Sequence, residues 1–278
     1  VTLPGVAYLI VELGWRPTLF IKMIVGCVWA ILWFLYFRDD PVDAPWLGET
    51  ERDFILANRQ QHSIDQGVDR SDTPSLRGKL LRSKNVLALC VQYFASNFVF
   101  FFGLTWFFPS LQDRYGLTGV QASFFTAMPM VFGAIGNWTA GWWVDRLYAA
   151  GKWKWARRLP AMTGFALAAV GIIGSAYAQS ALSASLWFSL CIFGADMTLS
   201  PSWSTCVDIG KSNAGVVSGT MNMAGNIGSF VTSLAFPYLL SWTGSLLPFS
   251  FVAAGLNLIA ILLWTRIDPT IDLDEVRS

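Results

Sequence analysis

Six small or polar residues, Gly215, Gly219, Asn222, Asn226, Ser229 and Ser233, follow one another at separations of 4, 3, 4, 3 and 4. That rhythm places all six on one face of a helix predicted over 214–238. The chemistry on offer is neutral hydrogen bonding, and two uses fit it. Gly215-x-x-x-Gly219 allows a neighbouring helix to approach closely, with the asparagines bridging between helices. Alternatively, Asn222 and Asn226 line a water-filled path and hydrogen-bond a hydroxylated or carboxylated solute.

A second group lies in the apolar stretch 183–206, which carries Asp196 near its middle. An ionised carboxylate there costs roughly 2.5–3.5 kcal/mol on insertion scales, so Asp196 needs a partner, water or a proton. Four residues on come Ser200 and then Pro201, which lacks an N–H and frees the carbonyl of Met197. The expected kink gathers Ser200, Ser202 and Trp203 beside a broken backbone. Asp196 is read either as a structural or protonated group or as the carrier of a coupling proton or cation. Asp208, at the end of the stretch, is read as a helix-end charge. In 87–109, Gln92, Ser96, Val99, Gly103 and Trp106 share a face, which suits a packing seam or, through Gln92, a cavity wall.

These residues must be held by membrane helices. The chain has 278 residues, 54% apolar and 13% charged, with mean hydropathy +0.48; a soluble domain carries about 25% charged residues. Crossing the hydrocarbon takes about 20 apolar residues. Such segments fall near 17–37, 87–109, 119–143, 160–179, 183–206, 214–238 and 246–265, seven in all. Residues 1–13, apolar apart from Glu12, are too short for a full crossing and read as the end of a helix cut at the front. With no basic region ahead of them, they do not read as a signal peptide.

Lys and Arg set the expected sidedness. The 38–86 gap holds eight, 144–159 holds five, 207–213 has Lys211, and the tail has Arg266 and Arg277. The alternate side has Arg114, with Arg16 and Lys22 near the start of the first full span. The basic gaps and the C-terminus are therefore expected in the cytoplasm, with the protein multi-pass in the cell (inner) membrane. Within 38–86, a short helix is expected near Glu49–Gln61, a flexible link over 62–76, and a basic interfacial segment over Arg77–Lys84. A net charge of +1 offers no field for nucleic acid. Cys27, Cys90, Cys191 and Cys206 read as packing residues. The single histidine, His62, lies in a polar gap. With no histidine in the spans, neither a histidine metal site nor a His-dependent nucleophile is expected there, and the chain does not read as an enzyme.

The segment Gly141-Trp142-Trp143-Val144-Asp145-Arg146, followed by Lys152, Arg157 and Arg158, resembles the G-x-x-x-D-R loop of the major facilitator superfamily. The resemblance implies that Gly141, Asp145 and Arg146 gate the cytoplasmic side, the last two through a charge relay with neighbouring helix ends. Gly14-Trp15-Arg16, Arg38-Asp39-Asp40-Pro41, Trp106-Phe107-Phe108-Pro109, Ser200-Pro201-Ser202-Trp203 and Ser218 to Asn226 are similar to the anion:cation symporter branch, above all to carriers of hexuronates and aldonates. For that branch the resemblance implies substrate contacts at Ser200, Ser202, Trp203 and Asn222; Asn226 joins them from the helix stripe.

The fold expected is an all-α membrane protein, a truncated major facilitator superfamily-like bundle of seven full spans plus a partial one. Residues 1–37 would end an N-terminal bundle, 38–86 form a cytoplasmic interdomain loop, 87–266 a C-terminal six-helix bundle and 267–278 a tail. By this resemblance the first four helices are missing, and with them the branch's anion-binding arginine and proton-coupling acids. The function expected is symport of a sugar acid with H+ or Na+, without a bound cofactor, and with the chain inactive alone. Its partners would be the lipid bilayer, a small organic anion and the missing helices. The rival reading is a non-transporting remnant or assembly partner.

Overall fold

A computed structural model describes residues 2–38, 40–58, 73–271 and 273. His62 and most of the expected flexible link lie outside the described residues. The chain divides into two units, one of residues 5–71 and the other of 1–4 with 72–278.

In the first unit, α1 (Thr2–Leu13) gives way to α2 (Trp15–Tyr36) at Gly14, whose φ of 84° is open to glycine and strained for other residues. The Thr18 hydroxyl donates to the Gly14 carbonyl at 2.8 Å, holding that joint. Asp40 accepts from the Val42 amide at 3.0 Å and caps a short 3-10 turn begun by Pro41. Helix α3 (Glu49–Asn58) then forms with Glu49 and Glu51 in its first turn, as expected from the dipole.

The second unit is a helical bundle. It comprises α4 (Thr73–Arg82), α5 (Lys84–Thr105), α6 (Phe107–Tyr115), α7 (Gly119–Ala149), α8 (Trp153–Tyr177), α9 (Ala181–Met197), α10 (Leu199–Gly210), α11 (Ala214–Thr243) and α12 (Leu247–Arg266). Helix α5 packs against α11 and α12, and α9 packs against α7 and α8. The apolar stretch Ala181–Thr243 is 63 residues long, far beyond one crossing. It is broken at Thr198 and turned by Lys211–Asn213, so α9 with α10 makes one crossing and α11 the next. The described residues thus contain seven apolar crossings.

Boundaries moved where local chemistry intervened. The 87–109 span stops at Trp106, and Pro109 falls in the separate α6. Helix α7 runs 31 residues, about 46 Å, so Asp145 and Arg146 sit on its last turns rather than in a loop. At its start Thr118 and Gln121 form a capping box.

Glycines set the spacing of α9. A Cβ on Gly136 of α7 would strike the Phe193 backbone, one on Gly171 of α8 the Cys191 backbone, and Gly164 and Gly194 oppose each other's carbonyls. Helices in lipid gain from such close contact because no hydrophobic drive separates helix from acyl chain. An aromatic cluster closes one end of the bundle, with Phe102 at 4.9–5.6 Å from Phe188, Phe236 and Phe249.

Candidate functional site

The break at Thr198 is built from side chains competing for backbone carbonyls. The Thr198 amide donates to the Ala195 carbonyl at 3.1 Å and its hydroxyl to the same oxygen at 2.7 Å. The Ser202 hydroxyl donates to the Thr198 carbonyl at 2.6 Å. With Pro201 contributing no donor, α9 and α10 are separate helices.

Trp203 projects from the first turns of α10 and is 42% exposed. Its ring meets Tyr93 of α5 edge-on at 6.2 Å. The same Tyr93 ring, with Asn97, abuts Gly225 of α11, where a Cβ would collide with both. Asn222 and Asn226 flank Gly225 in sequence, both exposed, with the Asn226 amide donating to the Asn222 carbonyl at 3.0 Å. Tyr93 therefore joins α5, α10 and α11 at one polar, aromatic locus. Ser200 is half-buried and has no hydrogen bond among the described residues.

Asp196 sits in the last turn of α9, with its carboxylate against Gly133 of α7, where a Cβ would overlap it. Its carboxylate has neither an ion pair nor a hydrogen bond among the described residues, while its backbone carbonyl accepts from the Thr198 amide.

Several expectations need correction. Gln92 does not line open space: it is fully buried, its amide donating to the Leu89 carbonyl at 3.1 Å and its oxygen accepting from Ser202 at 3.3 Å and Trp264 at 3.4 Å. Ser202 is likewise buried in that knot rather than presented to a solute. The α5 residues at the locus are Tyr93 and Asn97, one position along from the face expected; a tyrosine within an apolar run gave no periodic signal. On α11 the stripe divides. Gly215 and Gly219 have no neighbour within 4 Å of a Cβ among the described residues, Ser229 is buried, and the close packing against α5 falls on Gly225 and Gly228.

At the basic end, a Cβ on Gly141 would meet nothing within 4 Å among the described residues, and Asp145 and Arg146 are exposed. The Arg146 guanidinium lies 4.4 Å from the Trp142 ring centre. An ion pair that joins helices there is Arg157 of α8 with Asp208 of α10, at 2.8 and 3.4 Å. Asp208 is thus a cross-helix partner and not merely a helix-end charge. Nearby, Lys154 donates to Asp268 at 2.6 Å, Asn85 exchanges two hydrogen bonds with the Asp268 backbone, and Arg158 holds the Ile267 carbonyl at 2.9 Å.

Partial burial raises the Asp268 pKa, but the bonds from Lys154 and from the Thr270 side chain and backbone outweigh it, so the carboxyl lies below its ordinary value. Its contribution to stability is then fully present above the unfolded value of about 3.9 and fades as pH falls through the lower folded value. The difference in melting temperature between the native chain and Asp268→Asn is expected to shrink as pH drops from about 6 to 3. A difference that stays constant would show that the Asp268 charge is not what holds the tail.

Apolar crossings in both units, with polar side chains gathered beside a broken helix in the second, define a multi-pass helical membrane protein. The Major Facilitator Superfamily model matches residues 1–233, and the chain belongs to that family. It is 27% identical over 277 residues to a probable sulfoacetate transporter of Cupriavidus necator, covering 99% of this chain and 63% of that protein. It is 25% identical over 268 residues to the hexuronate transporter of Bacillus subtilis, covering 93% of this chain and 59% of the relative. A D-galactonate transporter of Escherichia coli is 25% identical over 232 residues, 82% and 53% of the two chains. The chain spans about three fifths of the length of the first two.

Proposed function

We propose that this chain supplies one wall of a carrier for a small organic anion of the sugar-acid kind, working by rocking of two helical lobes about a central site. The observation that carries the reading is Trp203, an indole held on edge by Tyr93 between a broken helix and an asparagine-bearing face. Amides at Asn97, Asn222 and Asn226 suit hydroxyl groups, and an aromatic face suits the C–H surface of a polyol. No Lys or Arg lies within these spans near Trp203, so this wall holds the body of the solute and not its charge. Asp196 would repel an anion when ionised; H+ or Na+ on it removes that repulsion and gives a coupling route. The basic end is proposed to face the cytoplasm by its Lys and Arg content.

Uptake of labelled glucuronate and galactonate into proteoliposomes tests this, using the chain alone and together with four-helix N-terminal fragments of the sugar-acid relatives. We expect no uptake alone and uptake with a complementing fragment. In that assembly Trp203→Ala should lower the rate at least tenfold, and Asp196→Asn should remove its dependence on pH or Na+. Complemented uptake that ignores Trp203→Ala would sink the reading. Failure with every fragment favours a membrane protein that assembles without transporting. Uptake by the chain alone, abolished by Asn222→Ala, would disprove the need for partner helices.

A further inference from the structure

We propose that a cavity at the end of the bundle opposite the basic rim is a binding site for an amphiphile with an apolar body and a single anionic head. The cavity measures about 700 Å³ and lies between α6, the end of α8, and the junction of α11 with α12. It shares no residue with the Trp203 locus. Trp106 is nine residues beyond Asn97 along α5, about 14 Å.

The cavity's floor is apolar, formed by Trp106, Phe236, Pro237 and Leu240, and its rim is polar, with Asp113 and Arg114. A concave apolar chamber with a few convergent polar groups is the usual form of a small-molecule site. Arg114 is the one Lys or Arg at this end of the described bundle. It is fixed in place, donating to the Ala178 carbonyl at 2.8 Å and lying 5.3 Å from the Tyr115 ring centre. Among the described residues it has no carboxylate partner, which leaves guanidinium N–H groups for an anion. Trp106 lines the cavity, and its indole N–H is buried without an acceptor among the described residues, a second donor that reaches the same head once the ring turns.

Asp113 limits the charge accepted. A second negative group on the ligand would approach this carboxylate, so one anionic head is favoured over two. The floor also selects against the polyhydroxylated solutes proposed for the Trp203 locus, which would lose hydrogen bonds to water there without replacement. The chemistry fits a free aromatic or long-chain carboxylate and equally the anionic head of a membrane lipid.

The chain in phosphatidylcholine nanodiscs, probed with tritiated 2-naphthoate by scintillation proximity, tests the site. We expect saturable binding, with 2-naphthylmethanol competing at least tenfold more weakly. Arg114→Gln should weaken 2-naphthoate about tenfold. Ser241→Trp, which fills the cavity, should abolish binding while leaving the helical circular dichroism unchanged. Asp113→Asn should admit naphthalene-2,6-dicarboxylate, which the native chain refuses. Replacing part of the lipid with phosphatidylglycerol separates the sources: competition identifies a lipid head group, and its absence a free carboxylate. Equal binding of the alcohol, insensitivity to Arg114→Gln, or no saturable binding would overturn the proposal.

Discussion

Asp208→Ala is expected to lower the stability of the bundle by about 3 kcal/mol. Arg157 is 8% exposed and its guanidinium is held by both Asp208 oxygens, at 2.8 and 3.4 Å. Removing the carboxylate leaves a buried cation uncompensated, and breaking such a pair costs about 3–5 kcal/mol. The lower figure applies because the Asp208 side chain keeps 30% of its exposure. At about 2–4 °C per kcal/mol for a unit of this size, the melting temperature should fall by roughly 6–12 °C. Replacing both partners with apolar residues, Arg157→Met with Asp208→Leu, should recover most of the loss, since a buried pair and a packed apolar substitute are often similar in energy. A change under about 2 °C in Asp208→Ala would mean the two charges are not coupled in the membrane.

Gly171→Val should damage the fold by a different route. A Cβ at this position falls on the Cys191 amide and Cα and on the Trp187 carbonyl. These are backbone atoms of α9, so no rotamer change relieves the clash and the helices must part. Overpacking a tight core costs about 1–3 kcal/mol. Here the upper end is expected, because separating α8 from α9 also disturbs the facing Gly164 and Gly194. Detergent-solubilised yield and melting temperature should both drop, whereas valine at Gly215, where a Cβ meets nothing within 4 Å among the described residues, should leave them unchanged. Equal effects at the two positions would rule out the glycine seam as the source of the packing.

The crossings themselves were legible because apolar run length is summed over many residues and tolerates local error. The break at Thr198 was legible too, since the donor missing at Pro201 acts through the chain's own backbone. Faces were harder to read. The α11 stripe has true helical spacing, yet Gly225 and Gly228, not Gly215 and Gly219, meet α5. Every glycine offers the same absence of a side chain, and only the neighbour's position decides which one is used. Gln92 illustrates a related failure. A polar residue in an apolar helix has the same spacing whether it faces water or a buried knot, and its partners Ser202 and Trp264 are 110 and 172 residues away. Arg157 and Asp208 were each visible as charges, but their pairing depends on α8 and α10 lying side by side.

The end of the last helix has a practical consequence for anyone handling this protein. Leu273 is 1% exposed and belongs to the same apolar cluster as Leu80, Trp264 and Ile267. An affinity tag joined directly after Arg266 would strip the cover from that cluster and remove the Asp268 contacts with Asn85 and Lys154. Fusions and crystallisation truncations should therefore retain everything through Leu273, and a shortened version that purifies poorly would reflect this lost plug rather than any fault in membrane insertion.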